Sequence, residues 1–293
     1  MACEKKEKLT AASLRFVVFF VFIVLSASAG LVQADETSIA GNKIMNSYKD
    51  AVVKVEVVMQ RKFVMNGKEI QNKESKSEVT GTVLNESGLV LVSLTTIDPS
   101  KFMDNIMRGM EGDSKMEVKI DIKSVKVIMP DETEIDAKIV LRDKDLDMAF
   151  IQPKQKIAKP MVSVKMAEQS NPHIMDEIII LSRLSKVADH APSVMSARIS
   201  AIVNKPRTSY IPQVEGGDMQ DIGTPVFSLD GKLIGVILIR VLASEGGGFG
   251  AMMGGAGAMG ISPVIMPVAE ILEASKQVAD ETKEETKKPK AKE

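Results

Sequence analysis

Short runs of alternating apolar and polar residues, each closed off by turn-forming residues, recur through the middle of this chain and point to antiparallel β-structure. Ala51-Val52-Val53-Lys54-Val55-Glu56-Val57-Val58 alternates with period two, and Val125, Val127 and Met129 repeat the pattern before Pro130-Asp131-Glu132. A period of two sends successive side chains to opposite faces of a strand, whereas a helix needs 3.6. Ile135, Ala137 and Ile139 continue on a returning strand. Asn66-Gly67 and Asp230-Gly231 predict two-residue hairpins, because both central positions of that turn favour positive φ. Asn85-Glu86-Ser87-Gly88 predicts a looser turn between Val83-Leu84 and Leu89-Val90-Leu91-Val92. Strands this short, at this spacing, imply barrels or a sandwich.

Helical spacing is confined to two places. One is near residues 99–111; the other runs from about Pro267 to Val278, with Val268, Ile271, Leu272 and Ala279 spaced to pack on the outside of a barrel. From Lys276 to Glu293 most residues are Lys, Asp or Glu, which predicts a solvated, disordered tail.

The first 34 residues have the organisation of a targeting segment. Lys5, Lys6, Lys8 and Arg15 form a basic region, Phe16 to Leu25 is an unbroken apolar run, and Val32-Gln33-Ala34 ahead of Asp35 offers a small-residue cleavage site, with Ala27-Ser28-Ala29 as a second. The run is about half the ~20 residues of a spanning helix, so a cleaved signal peptide and an exported chain are expected, with the membrane involved only through this segment if it stays uncleaved. Cys3, the one cysteine, precedes the run, so the remainder must be held by its core without disulfides. A bacterial periplasm or cell envelope is the expected address.

Charge excludes one class of partner. Four of the 38 basic and two of the 39 acidic residues precede residue 35, so the remainder carries a net charge of −3, the opposite of a nucleic-acid footprint. With 44% apolar residues the chain can bury one large core or two modest ones.

Three stretches resemble one protease family. Gly217-Asp218-Met219-Gln220-Asp221-Ile222-Gly223-Thr224-Pro225-Val226 followed by Asp230-Gly231 is similar to the nucleophile loop Gly-Asn-Ser-Gly-Gly-Pro-Leu of HtrA/Deg-type, trypsin-like serine proteases. Thr80-Gly81-Thr82-Val83-Leu84 through Leu89-Val90-Leu91-Val92-Ser93-Leu94-Thr95-Thr96 resembles the stretch of that family that ends in the catalytic histidine. Leu141-Arg142-Asp143 through Asp147-Met148-Ala149-Phe150-Ile151 resembles the stretch that carries the aspartate. Asp176 to Leu181 and Val194 to Ile202 continue the similarity, which covers roughly residues 45–275 with no room for a PDZ domain after it.

The resemblance implies an all-β fold of two antiparallel β-barrels with a C-terminal helix. Together with the targeting segment and the charged end, this divides the chain into a signal peptide (1–34), an N-terminal barrel (45–155), a C-terminal barrel with its closing helix (156–275) and a charged disordered tail (276–293). It also places Thr95 on the histidine, Asp147 on the aspartate and Ile222 on the serine. Ile222 has no transferable proton, so an acyl-enzyme at that position is excluded, and a threonine hydroxyl is far too weak a base to replace an imidazole. Gln220 stands where the family's oxyanion-hole glycine belongs, and Thr224 replaces a second glycine. Asp147 is either the last triad member or a carboxylate capping a turn before a buried strand.

The other candidates point less sharply. His173 and His190 read as surface loop histidines, and with no cysteine after Cys3 they leave no metal site expected, nor is any cofactor. The segment 98–120 reads as an insertion with Met103, Met107 and Met110 on one helical face, and residues 246–260 as a Gly/Met loop. The 19 methionines could be core packing, an adaptable binding surface or thioether copper(I) ligands.

Three functions remain open. The first is a noncatalytic domain binding a peptide or partner protein between the barrels, with Gln220, Asp221, Ile222, Gly223 and Thr224 as the binding loop. The second is a hydrolase using Thr224, Thr95 or Ser228, and the third is a structural envelope protein. Oligomers are compatible with each.

Overall fold

The computed structural model describes residues 35–100, 103, 116–214, 221–241 and 261–287. Helix α1 (Glu36–Tyr48) comes first, and a 3₁₀ turn at Lys49–Ala51 leads from it into the strands. Six strands follow: β1 (Val52–Met65), β2 (Lys68–Val83), β3 (Val90–Ser93), β4 (Met116–Ile128), β5 (Glu134–Asp143) and β6 (Met148–Pro153). A four-residue helical turn, α2 (Leu94–Ile97), follows β3. These strands close a barrel in the order β1-β2-β3-β6-β5-β4.

Six more strands close the second barrel. They are β7 (Glu177–Arg183), β8 (Pro192–Val203), β9 (Ser209–Gln213), β10 (Pro225–Ser228), β11 (Leu233–Val241) and β12 (Ile261–Pro267), in the order β10-β11-β12-β9-β8-β7. All pairings within both barrels are antiparallel. Helix α3 (Val268–Lys287) closes the fold.

Alternation dictates three apolar layers. Val53, Val55, Val57 and Met59 of β1 fill the first barrel with Val92, Val127 and Ile151. Ile178, Ile180, Ile237, Ile239 and Ile265 fill the second. The intervening residues of the same strands face outward, and between the barrels they meet: Val52, Leu91, Phe150, Ile179, Leu181, Phe227 and Leu238 form one continuous layer. Ile44 of α1 and Val268, Ile271, Ala274 and Val278 of α3 extend that layer, with Tyr48 stacked on Phe227 at 5.0 Å between ring centroids.

Several expectations shift. Asn66 and Gly67 both have positive φ (51° and 78°), as their hairpin requires. At Asp230-Gly231 only Gly231 does; its N–H donates to Ser228 O at 2.9 Å, so this is a longer hairpin loop with glycine in the one left-handed position. Helix α3 continues to Lys287, which corrects the disordered tail expected from Lys276, because Lys, Glu and Gln are good helix formers once an apolar face has docked the preceding turns. Met116 to Ile120, read as part of an insertion, belong to β4, paired with β1 out to Met65. Most of the helix expected at 99–111 lies outside the described residues, as do the signal segment and the Gly/Met loop. Among the described residues no helix is long and apolar enough to cross a membrane.

Candidate functional site

Asp147 is the hub of the seam between the barrels. It ends the turn between β5 and β6, where Asp143 Oδ1 accepts the N–H groups of Asp145 and Leu146, and it adopts a left-handed backbone (φ 56°) that turns its carboxylate inward. The side chain is only 7% exposed. Oδ1 accepts the Thr95 N–H at 2.7 Å; Oδ2 accepts the Ser93 hydroxyl at 2.5 Å and the Ile239 N–H at 2.8 Å. Its own carbonyl accepts the Leu94 N–H at 2.9 Å. Burial pushes the carboxyl above its ordinary range, opposed by the hydrogen bonds from Ser93, Thr95 and Ile239. One carboxylate thus ties β3 and α2 of the first barrel to β11 of the second.

The loop at 221–224 is locked to both barrels. Gly223 has φ +91°, donates to Ile237 O at 2.7 Å and accepts the Thr82 hydroxyl at 2.8 Å. A Cβ there would lie 2.0 Å from Thr80 O, so only glycine lets the loop press against β2. The Thr224 hydroxyl donates to Asp221 O at 2.5 Å, and Thr224 O accepts the Ile237 N–H at 2.9 Å. The Ile222 side chain, 3% exposed, belongs to the second barrel's core with Ile178, Ile180 and Val226.

This geometry sorts the sequence-predicted residues. Asp147 and Thr95 are brought together through backbone and carboxylate. Ile222, Gly223 and Thr224, read with Gln220 and Asp221 as the binding loop, have their side of the loop shut from solvent, and Ile222 turns its side chain into the barrel. Asp221 and Thr95 are half-exposed and form the accessible rim, while Gln220 lies outside the described residues. Of the alternative nucleophiles, Thr224 is buried, Ser228 donates to Asp230 within its hairpin, and Thr95 is held through its N–H on Asp147 Oδ1.

A second buried polar cluster, which no sequence pattern signals, lies on the seam. Lys54, on the outward face of β1, is 6% exposed, and its Nζ donates to Thr80 Oγ1 at 3.0 Å; burial lowers its pKa, with Glu78 acting in the opposite direction. Arg183 donates to three carbonyls, those of Val52 (2.8 Å), His190 (2.8 Å) and Lys49 (2.6 Å). His190 is not a surface histidine: it is 8% exposed, with Nε2 3.2 Å from Glu78 Oε1 and Nδ1 3.6 Å from Glu132 Oε1. His173 remains exposed. Neither histidine is a partner of Asp147, whose hydrogen bonds come from Ser93, Thr95 and Ile239.

Residues 79–236, more than half of the chain, match the family model of the trypsin-like peptidase domain, and the span contains Thr95, Asp147 and Ile222. The chain belongs to the trypsin-like peptidase family. A comparison with curated proteins finds no match. The matched span holds the strands on both sides of the seam, with Asp147 buried between the barrels and Ile222 in the core of the second.

Proposed function

We propose that this protein is an exported, noncatalytic trypsin-like domain that binds a peptide segment or a partner protein along the rim of its inter-barrel seam. The observation that supports it most is the orientation of Ile222: the nucleophile position is part of the second barrel's hydrophobic core, so the scaffold persists without the reaction it hosts. Asp147 is engaged by three donors and has no base to orient. Binding by strand addition needs only backbone groups and shallow pockets. Pairing of β10 with β11 ends at Val236; beyond it Ile237 is held by Gly223 and Thr224 and Ile239 by Asp147, so an added strand would reach β11 only past Ile239, next to the Asp147–Thr95 pair. Export is supported by the basic region, the apolar run and the small-residue site before Asp35.

The test uses a photo-crosslinking amino acid at Thr95 or Asp221 in the native envelope. A discrete adduct that Thr95→Arg abolishes is the expected result; no adduct from either position favours a structural protein. Casein turnover or labelling by a fluorophosphonate, removed by one point substitution, overturns the noncatalytic reading. The amino terminus of the exported form is expected at Asp35.

A further inference from the structure

Beyond the first barrel, β1, β2 and β4 continue as a three-stranded ribbon in the order β2-β1-β4. Strand β5 covers the outer flank of β4 only from Val125 to Ile128, so among the described residues Met116 to Ser124 have β1 on one side and no strand on the other. Along this stretch Glu117, Lys119 and Asp121 alternate in sign on one face, while Ile120 and Ile122 pack against the first barrel's core on the other. The partner within the chain does not answer that alternation: Lys62 of β1 faces Lys119, and Gln60 faces Asp121. An edge of this kind is a template for another strand, and charges along it discourage pairing except with a strand that matches them.

We infer that this edge of β4 pairs antiparallel with the same edge of a second copy of the chain, centred on Ile120. Outward-pointing N–H and C=O groups alternate along a strand, so two identical antiparallel edges joined by a twofold axis are centred on a residue rather than between two. The stretch that β5 does not cover, Met116 to Ser124, has Ile120 at its midpoint, and this centre alone sets the whole of one stretch against the whole of the other. It faces Lys119 with Asp121 twice and Val118 with Ile122 twice. A centre one residue to either side makes Lys119 or Asp121 face itself. Opposite charges directly across a strand pair favour a register and like charges oppose it. The facing residues, Val118 to Ile122, keep strict alternation, because they pair one to one with Phe63 to Met59 and the extra residue of the β-bulge, Lys123, lies outside them. Lys119 lies 3.9 Å from Glu117, and Asp121 2.5 Å from Lys123; these are exposed pairs of small worth, which leave both side chains able to reach a second partner. Across the axis the two ribbons form one sheet of six strands in the order β2-β1-β4-β4-β1-β2. So short a facing stretch makes a small interface, and the dimer is concentration-dependent, with dissociation on the order of 10⁻⁵ to 10⁻³ M.

Sedimentation of the full chain over a concentration series is the measurement, with charge reversals as the decisive arm. Lys119→Glu alone and Asp121→Lys alone each place like charges opposite each other twice, and each weakens association by about tenfold, while the double reversal restores it to within about twofold. Both side chains are exposed, and an unchanged far-UV circular dichroism spectrum shows that the fold is intact. In a Cys3→Ser background, a mixture of Lys119→Cys and Asp121→Cys chains crosslinks on mild oxidation, because facing residues are ~4.5–5.5 Å apart between Cα atoms, within disulfide reach. Neither variant crosslinks to itself, since identical residues beside the axis are diagonal neighbours ~7–8 Å apart. A chain that stays monomeric throughout, or a dimer indifferent to the single reversals, or a mixture that crosslinks no better than each variant alone, overturns the inference.

Discussion

Replacing Ile222 by serine supplies the nucleophile that the resemblance to serine proteases implies at this position, and the structure predicts damage instead of activity. The isoleucine side chain is 3% exposed among Ile178, Ile180, Val226 and Ile237. Truncating a buried isoleucine costs about 2–5 kcal/mol, and a hydroxyl stranded among isoleucines adds about 1–3 kcal/mol. A loss of about 4 kcal/mol is a large share of the ~5–15 kcal/mol that holds a domain together. At ~2–4 °C per kcal/mol for a chain of this size the midpoint falls by about 8–16 °C. The chain has no tryptophan, so thermal unfolding is followed by far-UV circular dichroism, alongside fluorophosphonate labelling. Ile222→Ser melting within about 1 °C of the parent, or becoming labelled, refutes the argument, since either shows that residue 222 faces the seam.

Three further outcomes follow from the seam. Asp147 binds its proton more tightly folded than unfolded, so the stability this contributes is complete below the ordinary carboxyl range and fades as pH rises through the raised value. The urea midpoint of the parent, measured relative to that of Asp147→Asn, is therefore expected to fall as pH rises from about 4 to 7. Gly223→Ala forces a Cβ against Thr80 O at a left-handed backbone and costs at least about 3 kcal/mol, read as a lower urea midpoint. Arg183→Met strips the donor from the carbonyls of Lys49, Val52 and His190; a loss of about 3 kcal/mol is expected, with earlier proteolytic nicking around residues 49–52.

What could be read from the residues alone was whatever is written locally. Period-two runs predicted the barrel strands, Asn66-Gly67 its turn, and the Asp143-to-Ile151 stretch located Asp147 before its buried strand. The charged stretch from Lys68 to Glu78 has no alternation, since neither face of the ribbon tip is buried, and so β2 could not be seen there. Helix α1 was missed because its buried residues, Ala40, Gly41 and Ile44, make too weak an apolar stripe. His190 reads as a surface histidine, and Lys54 as one polar position of an alternating strand, because their burial is imposed by the rest of the fold. The inward turn of Ile222 depends on Gly223 reaching β2, more than 140 residues earlier in the chain, and no pattern within the loop itself reports that contact.

The ribbon also sets a geometry of reach. From Met59, the last fully buried residue of β1, to Met65 it advances about 20 Å beyond the barrel rim. A charge placed at the Asn66-Gly67 turn is therefore held beyond the ~8 Å screening length of physiological salt from the buried groups of the barrel, and leaves their titration unchanged.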